Sequence, residues 1–455
     1  MRSTSSLVLV LAACVGAFAT AAFAPGCGSS SDVTANTNDG GGGDDFPGVF
    51  TDGGSGGPCT GIACQVVSCP GGGSTTLSGT VFAPTKVNPD PLYNAIVYVP
   101  NSPVAPFPSG VSCDKCGTLT SGSPITSTLT GPDGKFTLKG VPVGANIPLV
   151  IQIGRWRRQV TIQNVPQCTD TAVPAELTRM PRNKTEGDIP HFAFSTGDAD
   201  ALECVLRKIG VDDSEFTLPS GNGRVHMFEE NGATMPGIPK ASTLWGDVNT
   251  LSQYDIVVLD CEGGQNDKPP AAQQNLIAYT GKGGRVFASH YSYVWLYNDA
   301  PFSGTATWAP MGTRPNNPLT GILDTSFPKG KAFEQWLGIV KALSAPGEIQ
   351  IFVPRNDAVA VVAPSQRWIY STQPSTLQHY TFNTPVGVPD DKQCGRVVFS
   401  DFHVTGSGGM SGGQTFPAEC DNGPLSPQEK VIEFMLFDLS SCVQKDTDPP
   451  VPPPR

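Results

Sequence analysis

Among the 455 residues of this chain, His290, His403, Asp260, Cys261 and Glu262 have the types and positions that suit chemistry. Imidazole titrates near neutral pH, so a histidine can take or give a proton, and imidazole with carboxylate can hold a divalent ion. Each group closes an apolar run. Tyr254-Asp255-Ile256-Val257-Val258-Leu259-Asp260 reads as a buried central strand delivering Asp260, Cys261 and Glu262, and Gly263-Gly264 then allow close backbone approach. Arg285-Val286-Phe287-Ala288-Ser289-His290 and Gly395-Arg396-Val397-Val398-Phe399-Ser400-Asp401-Phe402-His403 read as two further strands.

The elements around them alternate strand and helix. A strand over 189–195, an amphipathic helix over 198–209 with Leu202, Val205, Leu206 and Ile209 on one face, a strand over 224–228 and a crossover helix over 271–280 make a doubly wound α/β unit. Open α/β sheets bind ligands outside the carboxyl ends of their strands, and both histidines fall there. Three uses compete for His290, His403, Asp260 and Glu262. They are hydrogen-bonded wall residues and turn caps, or a sugar pocket with Tyr291, Tyr293, Trp295 and Tyr297 as stacking faces, or a hydrolytic or metal-assisted centre. Strand alternation argues for placing the aromatics in the core. Cys261 as a nucleophile lacks an elbow motif and competes with disulfide formation.

Strand, crossover helix, Gly283-Gly284 and strand, in that order, resemble the class I glutamine amidotransferase-like fold and its trehalose-utilisation (ThuA-like) relatives. In amidotransferases the strand after the glycine pair ends in a nucleophilic cysteine at a sharp elbow, and that position here is His290. The Phe402-His403 segment is similar to the family's Phe-His, but Val404-Thr405 stand where Pro-Glu would complete the triad. Cys-His-Glu amidase chemistry is therefore unsupported. The resemblance to ThuA-like proteins implies a histidine at the elbow.

Residues 74–181 alternate β-rich runs with turns, as in an antiparallel sandwich. Leu77-Ser78-Gly79-Thr80-Val81-Phe82, Ala95-Ile96-Val97-Tyr98-Val99 and Gly134-Lys135-Phe136-Thr137-Leu138-Lys139-Gly140-Val141-Pro142-Val143-Gly144 resemble a carboxypeptidase regulatory-like, transthyretin-like domain. That family implies a non-catalytic stalk or docking module. In Arg155-Trp156-Arg157-Arg158, Trp156 is expected inward and the arginines solvated.

At the N-terminus, Arg2, an apolar stretch from Leu7 to Ala24 and small residues before Cys27 form a signal peptide over 1–26. The segment resembles a bacterial lipoprotein signal with Cys27 as the lipidated residue, which implies a membrane partner through the lipid and an outer-membrane or cell-surface location. Residues 27–73 are a Gly/Ser/Asp-rich tether. Residues 187–443 form the amidotransferase-like unit and 444–455 a Pro-rich tail. The Gly-rich run after His403 could lid the crevice, and the Ser426-Pro427-Gln428-Glu429 run opens the last helix with a capping box.

The formal charge of −11 and pI near 4.9 exclude a nucleic-acid footprint. No phosphate-cradling motif is complete, and neither cofactor nor resident metal is expected. Thirteen cysteines suit an oxidising compartment. Without Cys14 and an acylated Cys27, 11 remain, so one thiol is free or a bridge crosses between regions. Expected pairs are Cys113 with Cys116, Cys394 with Cys420, and Cys69 with Cys168.

The expectation is multidomain: an antiparallel β-sandwich (prealbumin-like) followed by a doubly wound α/β unit (flavodoxin-like, amidotransferase-like). Its function is binding or scaffolding at the cell surface, with a glycan or envelope component as ligand. The alternative is a hydrolase or metal-assisted enzyme using His290 and His403.

Overall fold

Alternation along the apolar runs decides which side of the main sheet each residue faces. A computed structural model describes residues 59–404 and 412–453, so Cys27, the signal segment, most of the tether and the body of the Gly-rich loop lie outside the described residues. Phe192, Phe194, Ile256, Val258, Phe287 and Val398 join one buried cluster, while Ala193, Val257, Leu259, Val286, Ala288, Val397 and Phe399 join a second. A strand whose successive residues enter opposite cores is buried on both faces, which is why these runs are apolar without interruption.

The ten-stranded sheet is mixed. Gly395–Ser400, Arg285–Ser289, Ile256–Leu259, Phe192–Thr196, Val225–Glu229 and Phe216–Thr217 lie side by side and parallel. Ser375–Thr384, Gln366–Thr372, Leu319–Leu323 and Glu348–Ile351 extend it antiparallel from the Gly395 edge. Numbered along the chain, the five longer parallel strands run 2-1-3-4-5 across the sheet. The helix Pro270–Gly281 covers one face with Ala272, Leu276 and Tyr279. Leu202–Ile209 and Pro427–Ser440 cover the other with Val205, Leu206, Val431 and Met435. The last helix starts on the capping box read from the sequence: Ser426 accepts from the Glu429 amide, and the Glu429 carboxylate accepts from the Ser426 amide.

Two small sheets precede it. Lys135–Lys139, Thr76–Thr80 and Asp170–Ala172 form one. Pro124–Leu129, Ile96–Pro100, Gly144–Ile153 and Trp156–Val165 form the other, antiparallel throughout. Leu77 and Leu138 from the first and Val97, Leu149 and Ile151 from the second are fully buried together. The molecule is thus sheet-rich, with several sheets and few helices, combining sandwich and α/β content.

The two parts share a core, which the sequence-based division at 181–187 did not foresee. Trp156 packs on Phe192 and Phe437, Tyr93 stacks on Phe434, and the Trp336 indole N–H donates to the Pro91 carbonyl at 2.6 Å. At Gly154, with φ of +54°, an added Cβ would stand 1.6 Å from the Ser440 carbonyl oxygen, so only glycine permits this approach.

That docking also corrects the arginines. Trp156 does point inward, but Arg155 and Arg157 are buried beside it. Arg155 pairs with Asp255 at 2.7 Å and Asp114 at 3.0 Å, and Arg157 pairs with Asp188 at 2.8 Å. Neighbouring chain covers the strand end, and charge left there needs partners.

The disulfides follow the same logic. Cys59 joins Cys64 and Cys69 joins Cys168. Cys113 pairs with Cys394 and Cys116 with Cys442, not with each other; Cys420 pairs with Cys204, not with Cys394. The 113–116 segment lies on the α/β part, where Lys115 bridges to Val443, and that contact brings distant cysteines within reach. Five disulfides among the described residues point to an oxidising, exported environment. No helix among them is long and apolar enough to cross a membrane.

Candidate functional site

The strand Arg285–Ser289 ends in an abrupt turn. His290 takes φ of +39°, a region non-glycine residues avoid, and opens the 3₁₀ turn His290–Tyr293. The resemblance put a nucleophile's elbow at this position, and the backbone there is bent as an elbow with an imidazole on it. Ser289 below it donates to the Asp200 carboxylate, whose other oxygen accepts from the Val404 amide at 2.9 Å. Asp200 therefore ties the elbow to the segment that carries His403.

His403 follows the adjacent parallel strand, so the two imidazoles meet. The His403 Nε2 lies 2.7 Å from His290 Nδ1, and the Cys261 Sγ lies 3.2 Å from the same Nδ1. On the far side of the ring, His290 Nε2 lies 3.3 Å from an Asp357 carboxylate oxygen. Asp401 holds Asp357 in turn by accepting from its backbone amide at 2.7 Å. Gln428 secures the other histidine by donating to the His403 carbonyl at 2.6 Å. All six side chains are buried; His403 is 5% exposed and Cys261 fully enclosed.

Burial governs the charges. It pushes His290 down to about 4, against the upward pull of Asp357, so this imidazole is neutral at physiological pH. It also lowers His403, which Asp200 opposes. The Cys261 thiol is pushed far up by the same cause and stays protonated in this environment. Asp401 is held well above the usual carboxylate range by burial and by Asp357 beside it. The Arg355 guanidinium is half-buried near Cys261, Tyr291 and Asp401.

The structure brings His290 and His403 together and adds Cys261, but it places the other candidate residues elsewhere. Glu262 forms an ion pair with Lys268 at 2.5 Å and accepts from Asn266 at 2.9 Å. Lys268 is shared with Glu230 at 2.8 Å, so the Glu262 carboxylate belongs to a structural network. Asp260 meets the Glu203 carboxyl in a fully buried pair; burial raises Glu203 to about 7 against the hydrogen bond from Asp260, and burial together with the Glu203 charge raises Asp260. Trp295 is 2% exposed, packs edge-on against Trp245 at 5.8 Å and is a core residue rather than a stacking face. Tyr291 alone of the proposed ligand-binding residues touches the site, its ring centroid 4.0 Å from that of His290. Among the cysteine candidates, Cys113, Cys116, Cys394 and Cys420 are all consumed in disulfides, as above.

Asp357, Asp401 and Arg355 escaped the sequence reading. Asp401 stood inside the quoted Phe399-Ser400-Asp401-Phe402-His403 run and could have been singled out as the acid two residues before a histidine. Asp357 and Arg355 sit between strands in a segment without periodicity, and no local signal marked them.

No protein-family model matches the chain, and no curated protein matches it. Solved structures are similar to about half of it. The cytoplasmic protein STM3548 from Salmonella typhimurium is 12% identical and covers 55% of this chain and 98% of its own, with a TM-score of 0.31. A ThuA-like protein from Bacteroides uniformis is 12% identical over 54% of this chain and 89% of its own, with a TM-score of 0.29. The mmIFT52 N-terminal domain is 9% identical, covers 55% and 97%, and has a TM-score of 0.30.

Proposed function

We propose that this chain is an exported envelope protein whose α/β part carries a hydrolytic, proton-transferring site. The observation that supports this reading is the 2.7 Å approach of His403 to His290 at the carboxyl ends of adjacent parallel strands, with Asp357 behind His290. The strand order 2-1-3-4-5 and the bent backbone at His290 support a flavodoxin-like, amidotransferase-like frame in which the nucleophile's place is held by a base. In this reading His403 and neutral His290 take a proton from an attacking water, Asp357 orients the His290 ring and stabilises the imidazolium, and Arg355 faces the negative charge that develops. The sandwich is a stalk, and Cys27 is the lipid anchor that holds it at the cell surface.

The substrate class is an envelope glycan or its esters. The test is release of product by the full chain from peptidoglycan fragments and acylated sugars. His403→Gln is expected to lower kcat/KM by about 10²- to 10⁴-fold, the usual weight of one general base. Equal rates in both proteins would reject the reading.

A second reading, a binding protein without turnover, is favoured by the enclosure of Cys261 and His290. It predicts glycan retention that Tyr291→Ala abolishes, with no product released.

A further inference from the structure

Ten of the eleven cysteines in the described residues are paired, and the eleventh, Cys261, is buried at the histidines. Among the described residues, a chain that oxidises every other thiol keeps one reduced beside two imidazoles. We propose that Cys261 Sγ, His290 Nδ1 and His403 Nε2 are three ligands of a borderline-soft transition metal ion, zinc(II) above all, with an open fourth position. This deepens the hydrolytic reading of the same site, rests on it for the role of the ion, and changes the base: with the ion bound, the two ring nitrogens would be ligands, and the water would lose its proton through the ion's lowering of its pKa.

Geometry carries the inference. The three donor atoms lie within 4.8 Å of one another, and two of the separations are 2.7 and 3.2 Å. Tetrahedral zinc with bonds of about 2.0–2.1 Å to nitrogen and about 2.3 Å to sulfur separates its ligands by about 3.3–3.6 Å. Each of those two separations therefore opens by only about half an ångström to admit the ion. Three protein ligands leave a fourth place for water or substrate, as in catalytic zinc sites, and one thiolate with two imidazoles is a set that copper also takes.

The outer layer fits as well. Ligating histidines commonly give their second ring nitrogen to a carboxylate or a backbone carbonyl, which fixes tautomer and ring orientation. His290 has Asp357 at its Nε2, and Asp401 holds Asp357; the Ala199 backbone bonds the His403 ring. Arg355 and Arg314 add positive charge nearby, and the Asp200 and Asp357 carboxyls stand against it. The positive φ at His290 has a purpose here, because it turns the ring toward both other donors. On binding, the Cys261 S–H bond breaks, the sulfur's electron pair goes to the metal and the proton leaves to solvent, so affinity rises with pH.

The test uses the full chain exported to an oxidising compartment, stripped with a chelator and titrated with zinc(II), cobalt(II) or copper(II). One equivalent of zinc or cobalt is expected, with a thiolate-to-metal absorption band for cobalt. Cys261→Ser removes that band, and Asp357→Asn weakens zinc binding by about 10- to 100-fold. Should a variant fail to fold, the unmodified chain still answers, because bound zinc must slow labelling of Cys261 in mild denaturant. Preference for copper, with an intense visible thiolate band, supports the site and changes its occupant to a redox metal. No binding, or binding untouched by Cys261→Ser, overturns it. Metal bound without turnover removes the hydrolytic reading alone; turnover that persists in the stripped chain and falls with His403→Gln removes the metal alone.

Discussion

His403 Nε2 and His290 Nδ1 stand 2.7 Å apart although 113 residues separate them, so one proton serves both rings. At that distance one nitrogen donates and the other accepts, and protonating both would set two buried charges against each other. The base form is therefore favoured to low pH. Because burial lowers His290 to about 4 from an ordinary value of 6.5, the acid limb of kcat/KM is expected near pH 4. A limb near pH 6.5 in the pH–rate profile would show that the ring is solvated.

Cys261 is expected to be inert in the metal-free native chain. Its thiol is enclosed and held protonated, and the thiolate is the reactive form. Mass-spectrometric mapping after alkylation should find it unmodified until denaturant is added, with the ten cysteines of the five disulfides unmodified even then. Rapid native labelling would mean an open site.

Glu203 makes stability fall with rising pH. Its carboxyl is raised to about 7 by burial beside Asp260, while the unfolded chain ionises it near 4.5, so between these values the folded state holds more protons. Glu203→Gln should leave stability unchanged below pH 4.5 and raise it at pH 8, by about 3 kcal/mol in denaturant titration. A loss at pH 8 would contradict the pairing.

Arg155 joins the sandwich to the sheet through Asp255 and Asp114. Arg155→Met takes away the nearer cation of the buried Asp255 carboxylate and leaves only Arg224 at 4.0 Å; losing one partner costs about 3–5 kcal/mol in comparable pairs. Unfolding in urea should shift accordingly; Arg155→Met with Asp255→Leu should recover much of the loss.

Cys116 and Cys442, 326 residues apart, clamp the same junction. Replacing both with serine relaxes the unfolded chain and should lower stability by about 2–5 kcal/mol while leaving the His290–His403 contact in place. Zinc titration and thermal unfolding of the same sample separate the two effects.

The continuous apolar runs were enough to find the strands ending at Leu259, Ser289 and Ser400, because a strand buried on both faces leaves an uninterrupted apolar stretch in the local sequence. They therefore placed His290 and His403 at the same end of one sheet. The capping box at Ser426 was legible because it too is written in local sequence. The odd cysteine count was visible too, though which thiol was left over was not.

Everything set by contacts between distant segments had to wait for the fold. Glu262 follows its strand as closely as Cys261 does, yet Lys268 draws it into another network while Cys261 meets the imidazole. Trp295 reads as a platform and is a core residue, because Trp245 and the sheet close over it. Asp357 comes from a stretch with no period and reaches His290 only because the antiparallel extension folds back over the strand ends. Composition and periodicity determine which elements form and where they end. Which side chains meet there, and which cysteines pair, is decided by chain crossings hundreds of residues apart, on which local pattern carries no information.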